Sequence, residues 1–386
     1  MSQNKEYLKI FSALEEVLSH IEPRLNEIEQ LRRLPADIAQ SLKNTGVFAM
    51  NFPRSWGGAE LNSMEQTQLI ERIAQVDAAV AWCVMIGSDS GIYSGYLEDS
   101  VAKKLFKSVN FITAGWIHPQ GKAEIVEGGY LVTGKWRFGS GISNSDLVSA
   151  GCFVYEHGKK VLDEDGQPIW RVMIAKPSEY LIADGWHTTG LQGSGSLDYS
   201  ANELYVPNEH SFSFSEPYRK GPLHDSPEAI LRNMSGVPLG MARAAIDYVR
   251  AKAPTKFDRT LSVPWLESSR VQTVIAGCEA DLLAARSAVY SSLQQQWHAL
   301  ETSQPLSEEL RVATAVARFK AFQTSRDIIQ QLYDLVGGAS IYKQESPMDK
   351  WLRDVNTICQ HAVAQQSILT ASGELLLTSK SNNPFI

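Results

Sequence analysis

The hydrophobic periodicity of this sequence changes twice, and these changes constrain the fold more than any other feature. Apolar residues recur every three to four positions from Tyr7 to Ile21, as on one face of an amphipathic helix. Beyond Asn110 the apolar residues fall into short β-rich runs, and from about Pro227 the helical spacing returns. The order helix, strand, helix therefore predicts an α+β multidomain protein.

The two changes of period also predict three domains, because 386 residues exceed the size at which one core keeps growing. We expect an N-terminal helical domain over 1–112, a central β-barrel or sandwich over 113–214, and a C-terminal four-helix bundle over 225–386. Long helices with short connections are typical of such a bundle. The helices that we predict there are Pro227–Lys252, Pro264–Leu300, Ser307–Val336 and Pro347–Leu377.

Turn and capping residues mark the ends of several elements. Asn62 or Ser63 is expected to cap one helix and Asp77 the next, and Gly46 ends an earlier one as a C-cap. In the middle portion, the pair Gly128-Gly129 lies between two β-rich runs and predicts a hairpin. Further strands are predicted over Leu147–Tyr155, Trp170–Ala175 and Glu203–Val206.

Composition excludes several classes of function. A net charge of −7, with 44% apolar and 20% charged residues, is ordinary for a globular protein and offers no basic surface for nucleic acid. The longest apolar run, Ala78–Ile86, is about half the length of a membrane-spanning helix. The N-terminus has no signal-peptide pattern. We therefore expect a cytoplasmic protein that binds neither nucleic acid nor membrane.

Common catalytic signatures are missing from the sequence. It contains no P-loop, no zinc-binding HExxH, no GxSxG and no dinucleotide-binding GxGxxG after a strand. Two Gly-Ser-Gly tripeptides, at 139–141 and 193–195, lie in the β-rich portion, and neither opens a helix. The four cysteines are widely spaced in apolar surroundings, which favours buried, reduced thiols over a metal or redox site. We predict no metal.

Local motifs carry a family resemblance over nearly the whole chain. From the N-terminus onward, these motifs are Phe52–Gly58 (FPRSWGG), Gly128–Gly141 (GGYLVTGKWRFGSG), Gly185–Ser196 (GWHTTGLQGSGS), Val206-Pro207, Leu335–Ala339 (LVGGA) and Leu352-Arg353-Asp354. With its motifs in this order, the chain resembles the acyl-CoA dehydrogenase superfamily, which implies a bound flavin and a homotetramer.

One position separates the branches of this superfamily. Its dehydrogenases usually carry a glutamate base eight residues after the Arg-Asp pair, where this chain has Ala362, next to His361. In this respect the chain resembles the two-component flavin-dependent monooxygenases, among them dibenzothiophene monooxygenase and the oxygenase component of 4-hydroxyphenylacetate hydroxylase. That resemblance implies His361 and Ser140 as catalytic residues near the reactive edge of the flavin.

The monooxygenase resemblance also implies the reaction. Reduced flavin (FMN or FAD) would arrive from a separate NAD(P)H:flavin reductase, and O2 would form a C4a-hydroperoxyflavin that oxygenates a small aromatic or heteroaromatic molecule. Hydrogen-bond donors suit that species, whereas a carboxylate would repel the anion that forms first. The predicted cofactor-binding residues are Trp116, His118, Trp136, Phe138, Ser140, Gly337 and Gly338.

For the substrate, we predict contacts from Trp82, Ser90 and Trp116. Many relatives in this branch have a histidine shortly after the position of Trp82 that helps to bind a phenol, and this chain has none in 85–91. The difference favours indole-like compounds over simple phenols. Gln192 also stands where an arginine is common, so the contacts to a flavin phosphate are expected to differ.

Two other functions remain open at this stage. A dehydrogenase could carry its base elsewhere, and Glu228 is the nearest acid on an earlier helix, although no motif surrounds it. A binding protein could keep the fold without catalysis. Taken singly, His361 is more often a core or surface residue and Ser140 a turn hydroxyl, so both assignments depend on the motifs around them.

Overall fold

The protein is described by a computed structural model that covers residues 4–381, 383, 385 and 386. Its contacts divide the chain into two compact units, and each unit is discontinuous in sequence. The first unit extends to Leu61 and includes Trp82–His187 and Gln192–Ile230. The second comprises Asn62–Ala81, Thr188–Leu191 and Leu231–Ile386.

The chain begins with helices, and their ends follow the predicted caps. Asn62 accepts a hydrogen bond from the Glu65 N–H, and the Glu65 carboxylate accepts one from the Asn62 N–H, which completes a capping box. Asp77 accepts from the Val80 N–H at 2.9 Å. Gly46 ends its helix with φ +83°, a conformation that favours glycine. In the described residues, these helices are α1 (Lys5–Ile21), α2 (Leu25–Leu31), α3 (Ala36–Thr45), α4 (Ser63–Ala74), α5 (Ala78–Gly87), α6 (Ser90–Tyr93) and α7 (Asp99–Leu105).

The middle of the chain forms one mixed sheet in the first unit, and all of its residues are described. Its strands are β1 (Thr113–Val126), β2 (Gly129–Gly139), β3 (Leu147–Glu156), β4 (Lys159–Lys160), β5 (Trp170–Ala175), β6 (Leu181–Ala183), β7 (Leu197–Pro207) and β8 (Ser211–Phe212). They pair in the order β6-β7-β2-β1-β3-β5-β8, with β4 beside β3. The β1–β3 pair is parallel and the others are antiparallel. The predicted hairpin at Gly128-Gly129 is confirmed as the β1–β2 turn.

One face of the sheet encloses an apolar core. Trp136 is fully buried at its centre, where its ring stacks on Tyr199 with centroids 5.4 Å apart. The Trp136 indole N–H donates to the carbonyl of Gly151 at 2.9 Å. Because both its ring and its N–H have partners in the sheet, Trp136 holds β2 rigidly against its neighbours.

Long helices make up most of the second unit. They are α8 (Gly236–Lys252), α9 (Ser269–Glu301), α10 (Glu308–Val336), α11 (Met348–Ile358) and α12 (Ser367–Thr378), with a small hairpin of β9 (Phe257–Asp258) and β10 (Val263–Pro264) between α8 and α9. Helix α10 contacts α8, α9, α11 and α12, and α4 packs on α8. A side chain at Gly240 would lie 2.2 Å from the carbonyl oxygen of Glu71, so glycine allows α8 and α4 to approach closely.

The last predicted helix, Pro347–Leu377, is wrong as a single element. Helix α11 ends at Ile358 and α12 begins at Ser367, with a short 3-10 turn at Ala362–Ala364 between them. Two side chains satisfy the backbone at the break: Gln365 Nε2 donates to the Cys359 carbonyl at 2.7 Å, and Gln323 Nε2 donates to the Ala364 carbonyl at 2.9 Å. These bonds replace the helical ones that are lost there. Similarly, the first turns predicted from Pro227 are a 3-10 segment, and α8 starts only at Gly236.

The predicted order of the elements is confirmed. The element order is α, then β, then α, as expected from the changes of period. All four cysteines are buried, and none of them forms a disulfide within the described residues. Within the described ranges, no helix combines the length and apolarity of a membrane span, and no group of three or more histidine, cysteine or acidic side chains is placed to hold a metal. The boundaries of the three sequence domains stay predictions.

Candidate flavin site and its surroundings

A chain of buried hydroxyl groups surrounds Ser140 in the first unit. Trp82 Nε1 donates to Ser140 Oγ at 3.1 Å, which joins α5 to the turn after β2. Ser140 Oγ lies 2.8 Å from Ser196 Oγ, which lies 2.7 Å from Ser194 Oγ. All three serines are buried. We call Ser140, Ser196 and Ser194 the hydroxyl chain.

The two Gly-Ser-Gly tripeptides of the sequence meet at the hydroxyl chain. The N–H of Gly141 donates to the Ser194 carbonyl at 2.8 Å, and the Cys83 thiol lies 3.4 Å from the same oxygen. Gly141 has φ +72°, so the chain can reverse directly after Ser140. Sequence reasoning placed Ser140 in the site but missed Ser194 and Ser196, although the repeated tripeptide was the available signal.

A β-bulge redirects Phe138 just before Ser140. Trp136 is opposite Tyr199 and Gly139 is opposite Leu197, so three residue steps on β2 match two on β7. Phe138 has φ +63°, which is rare for a bulky side chain and costs free energy. In a regular strand Phe138 would share the inward face of Trp136, but the bulge leaves it 45% exposed.

Phe138 belongs to an aromatic platform with Trp116 and Trp186. The Phe138 ring centroid lies 5.7 Å from that of Trp116 and 6.2 Å from that of Trp186. The guanidinium of Arg137 lies 5.6 Å from the Phe138 ring. The indole nitrogen of Trp116 is buried and has no hydrogen-bond partner, which is unusual because buried donors are nearly always paired. Trp186 was not predicted from the sequence.

Other predicted residues lie elsewhere in the first unit. Trp136 is a core residue of the sheet, as described above, and His118 is exposed on β1. Ser90 is fully buried: its hydroxyl donates to the Gly87 carbonyl at 3.0 Å and lies 2.7 Å from Thr113 Oγ1. Trp136 and Ser90 thus have partners within the fold, and their assignment to the flavin and substrate site stays a prediction.

The second unit contains the other predicted residues. His361 lies at the break after α11, where its extended backbone starts the 3-10 turn. Nδ1 accepts from the Val363 N–H at 3.4 Å, so the ring proton of the neutral imidazole is assigned to Nε2. Burial, together with the positive charge of Arg318, lowers the pKa of His361 to about 4. At neutral pH, His361 is therefore a neutral Nε2–H donor.

Gly337 and Gly338 follow α10 and are both exposed. Gly337 has φ +69°, which ends the helix, and no atom lies near the position of a side chain at either residue. Ala362 is exposed next to His361 and offers no proton acceptor. Thus the structure brings together Trp82 and Ser140, and also Trp116 and Phe138, within the first unit, whereas His361, Gly337 and Gly338 belong to the second.

Comparisons with known proteins agree with this architecture. Family models for the N-terminal and C-terminal domains of acyl-CoA dehydrogenases match residues 10–98 and 233–366. Indole-3-acetate monooxygenase from Pseudomonas putida is 26% identical over 345 residues, which are 88% of this chain and 86% of the relative. The protein of the same name from Acinetobacter baumannii is 27% identical over 351 residues, which are 90% and 88%.

A solved structure shows the same fold. XiaF from Streptomyces sp., in complex with FADH2 and glycerol, matches with a TM-score of 0.89 at 19% identity and covers 98% of each chain. The two matched segments, 10–98 and 233–366, together make up more than half of the chain. The chain therefore belongs to the acyl-CoA dehydrogenase superfamily, within its branch of flavin-dependent monooxygenases.

Proposed function

We propose that the chain is the oxygenase component of a two-component monooxygenase that uses reduced FMN or FAD and O2 to oxygenate a small heteroaromatic molecule. The observation that carries this proposal is that a hydroxyl held by Trp82, at Ser140, follows by two residues the Phe138 of an aromatic platform, in which the buried Trp116 N–H has no partner among the described residues. Ala362, in place of a carboxylate base, supports oxygen chemistry over removal of a proton from a thioester.

The residues of the first unit fit a flavin. An isoalloxazine ring needs a flat apolar surface and hydrogen-bond donors for its carbonyl and nitrogen atoms. Phe138 and Trp116 offer the surface, and Trp116 Nε1 offers a donor that the protein leaves unused. When bound, reduced flavin supplies the two electrons with which one oxygen atom of O2 enters the substrate and the other leaves as water.

Ser140 acts as a hydrogen-bond donor in this proposal. Its oxygen already accepts the Trp82 N–H. If Ser194 donates to Ser196 and Ser196 donates to Ser140, both lone pairs of Ser140 are occupied and its own hydrogen is left to donate to a ligand. A fixed donor in a site from which water is excluded stabilises developing negative charge strongly, because no solvent must reorganise. Ser196 is then a positioning residue for Ser140.

His361 is the second donor that we propose. Its lowered pKa keeps the imidazole neutral at physiological pH, and the Val363 N–H holds the tautomer that carries the proton on Nε2. A neutral donor stabilises a polar oxygen species without giving up a full proton to it prematurely. Ser140 and His361 thus have the same chemical role, one in each compact unit.

The substrate class comes from the named relatives and the platform. Both relatives above act on indole-3-acetate, as their names state. The three aromatic side chains of the platform suit a flat aromatic ring of that size. We therefore propose an indole-like heteroaromatic substrate, with Trp82 and Trp116 as candidate contacts. A homotetramer, a separate NAD(P)H:flavin reductase and a cytoplasmic location complete the proposal.

The decisive experiment supplies the protein with reduced FMN or FAD from a purified flavin reductase and NADH, together with indole and isotopically labelled O2. We expect one labelled oxygen atom in the product by mass spectrometry. Size-exclusion chromatography with light scattering tests the tetramer in the same preparation. Oxidised flavin that is bleached by an acyl-CoA, with no labelled product from any aromatic compound, would instead identify a dehydrogenase.

A further inference from the structure

One buried acid in the first unit has no role in the fold that its contacts explain. Asp89 lies between α5 and α6 and is 4% exposed. Its carboxyl group accepts a hydrogen bond from the Tyr93 hydroxyl, but Oδ1 has no hydrogen-bond partner among the residues that the structure describes. Although Asp89 directly precedes α6, its side chain does not cap that helix. A buried polar atom without a partner is costly, so its presence calls for a reason.

Neighbouring polar groups in the same segment are satisfied. The Ser88 hydroxyl donates to the Met85 carbonyl at 2.8 Å, and Ser90 bonds to Gly87 and Thr113. Asp89 is thus an exception within a well-paired stretch. Burial raises the pKa of Asp89 well above its ordinary value, an effect that the Tyr93 hydroxyl only partly offsets. Burial thus makes an unpaired Oδ1 costly, and a ligand that donates a hydrogen bond to it would remove that cost.

Asp89 is also next to the residues of the proposed site. Tyr93 interacts electrostatically with Tyr199, whose hydroxyl oxygen accepts the backbone N–H of Trp116 at 2.7 Å. Along the chain, Trp82 lies on α5 and Asp89 lies two residues beyond the end of that helix. Between them, Ile86 is the one residue of α5 that is not buried.

We propose that Asp89 is the residue that determines substrate specificity, by binding an N–H or O–H group on the aromatic ring of the substrate through Oδ1. Tyr93 is the positioning residue, since it fixes the other carboxyl oxygen and packs on Phe212 with ring centroids 5.5 Å apart. The inference rests on the proposed function for the identity of the site. It adds that the substrate must carry a hydrogen-bond donor on its ring.

Sites built to bond a donor reject analogues that lack it, because the buried partner is then left unpaired. Indole and benzofuran differ in this respect at nearly equal size, as do phenol and fluorobenzene. Dissociation constants can be measured by isothermal titration calorimetry on the whole protein without flavin. The wild type is expected to prefer the donor-bearing member of one pair by about tenfold or more.

Substitution separates recognition from a structural role. In Asp89→Leu, the preference should fall to about one, through weaker binding of the donor-bearing ligand alone. Asp89→Asn keeps an acceptor oxygen and should retain most of the preference, whereas Ser88→Ala, the adjacent buried control, should leave it unchanged. The pair that loses its preference identifies the donor as N–H or O–H.

Three results would overturn the proposal: no preference in the wild type for either pair, an unchanged preference in Asp89→Leu, or equal weakening of both members of a pair. If Asp89→Leu fails to fold, the smaller Asp89→Ala removes the same acceptor oxygen and provides the same comparison. Thermal unfolding checks this, and Asp89→Asn should not lower the melting temperature if Oδ1 bonds only to a ligand. Because binding is measured without flavin, failure of the monooxygenase reaction is a separate result.

Discussion

Two groups of buried polar residues, one in each compact unit, differ in how completely they are paired. In the second unit, Lys350 Nζ lies 2.7 Å from Asp77 Oδ2 and 2.6 Å from Asp354 Oδ2. The other oxygens of the two carboxylates accept the backbone N–H groups of Val80 and Leu191. In the first unit, by contrast, Asp89 Oδ1 and Trp116 Nε1 are buried with no partner.

We use this difference to distinguish residues that stabilise the fold from residues whose polar atoms can bind a ligand. A fully paired ionic group joins elements of its own unit and leaves no atom for anything else. An unpaired donor or acceptor destabilises the free protein, and a ligand that completes it removes that cost. The comparison therefore assigns the Arg-Asp motif around Asp354 to structure, and Asp89 and Trp116 to ligand binding.

The largest expected effect tests the paired group. Lys350→Met leaves the buried carboxylates of Asp77 and Asp354 without their cation, so we expect a loss of about 3–5 kcal/mol in the free energy of unfolding. Urea denaturation measures it. Lys103→Met is the matched control, because the Lys103–Asp99 pair is 57% exposed on both sides and should contribute about 1 kcal/mol or less. Equal effects of the two substitutions would contradict the structural role of Lys350.

The next largest effect tests the hydrogen-bond donor that we propose at Ser140. Ser140→Ala removes the proposed donor, and we expect product formation to fall by about 10- to 100-fold while hydrogen peroxide released per reduced flavin rises. Ser145→Ala, five residues along the chain with its hydroxyl on the Ile142 carbonyl, is the control and should leave the ratio of product to peroxide unchanged. An unchanged ratio in Ser140→Ala would remove that serine from the site.

How far the sequence predicts these features depends on whether the signal is local. The order of helices and strands and the caps at Asn62 and Asp77 were predictable, because period and capping chemistry lie within a few residues. The break before His361 was not, since no proline or glycine marks it and one of its stabilising bonds comes from Gln323, about forty residues away in the chain.

The composition of the site was predictable only in part. Ser140 was predicted from a family motif. Its hydrogen bond to Trp82 was not, because the two residues lie 58 positions apart in the sequence. The exposure of Phe138 depends on a bulge with positive φ at a non-glycine residue, for which the sequence carries no sign. Asp89 reads as an ordinary turn residue between two serines, and only the structure shows that its carboxyl is buried and half-paired.

A pH experiment tests whether the folded protein keeps the His361 imidazole neutral. Its pKa, lowered to about 4, lies below the ordinary histidine value, so the unfolded chain takes up a proton before the folded protein does. The free energy of unfolding should therefore fall as the pH is lowered from about 6.5 to about 4, by about 1–3 kcal/mol from this residue. His361→Gln should remove that part of the slope, with the exposed His157→Gln as control. A slope that is the same in His361→Gln would show that the imidazole is not held neutral by its surroundings.

The smallest expected effect distinguishes the two possible directions of the hydroxyl chain. If Ser196 donates to Ser140, then Ser196→Ala frees a lone pair of Ser140, which loosens the orientation of its hydrogen and should lower the ratio of product to peroxide by about 3- to 10-fold. If Ser140 instead donates to Ser196, the same substitution releases the Ser140 hydrogen, and the ratio should stay the same or rise. Ser194→Ala acts one bond further away and should give a weaker change in the same direction. The sign of the change thus decides whether the chain of serines orients the donor, as proposed, or competes with the ligand for it.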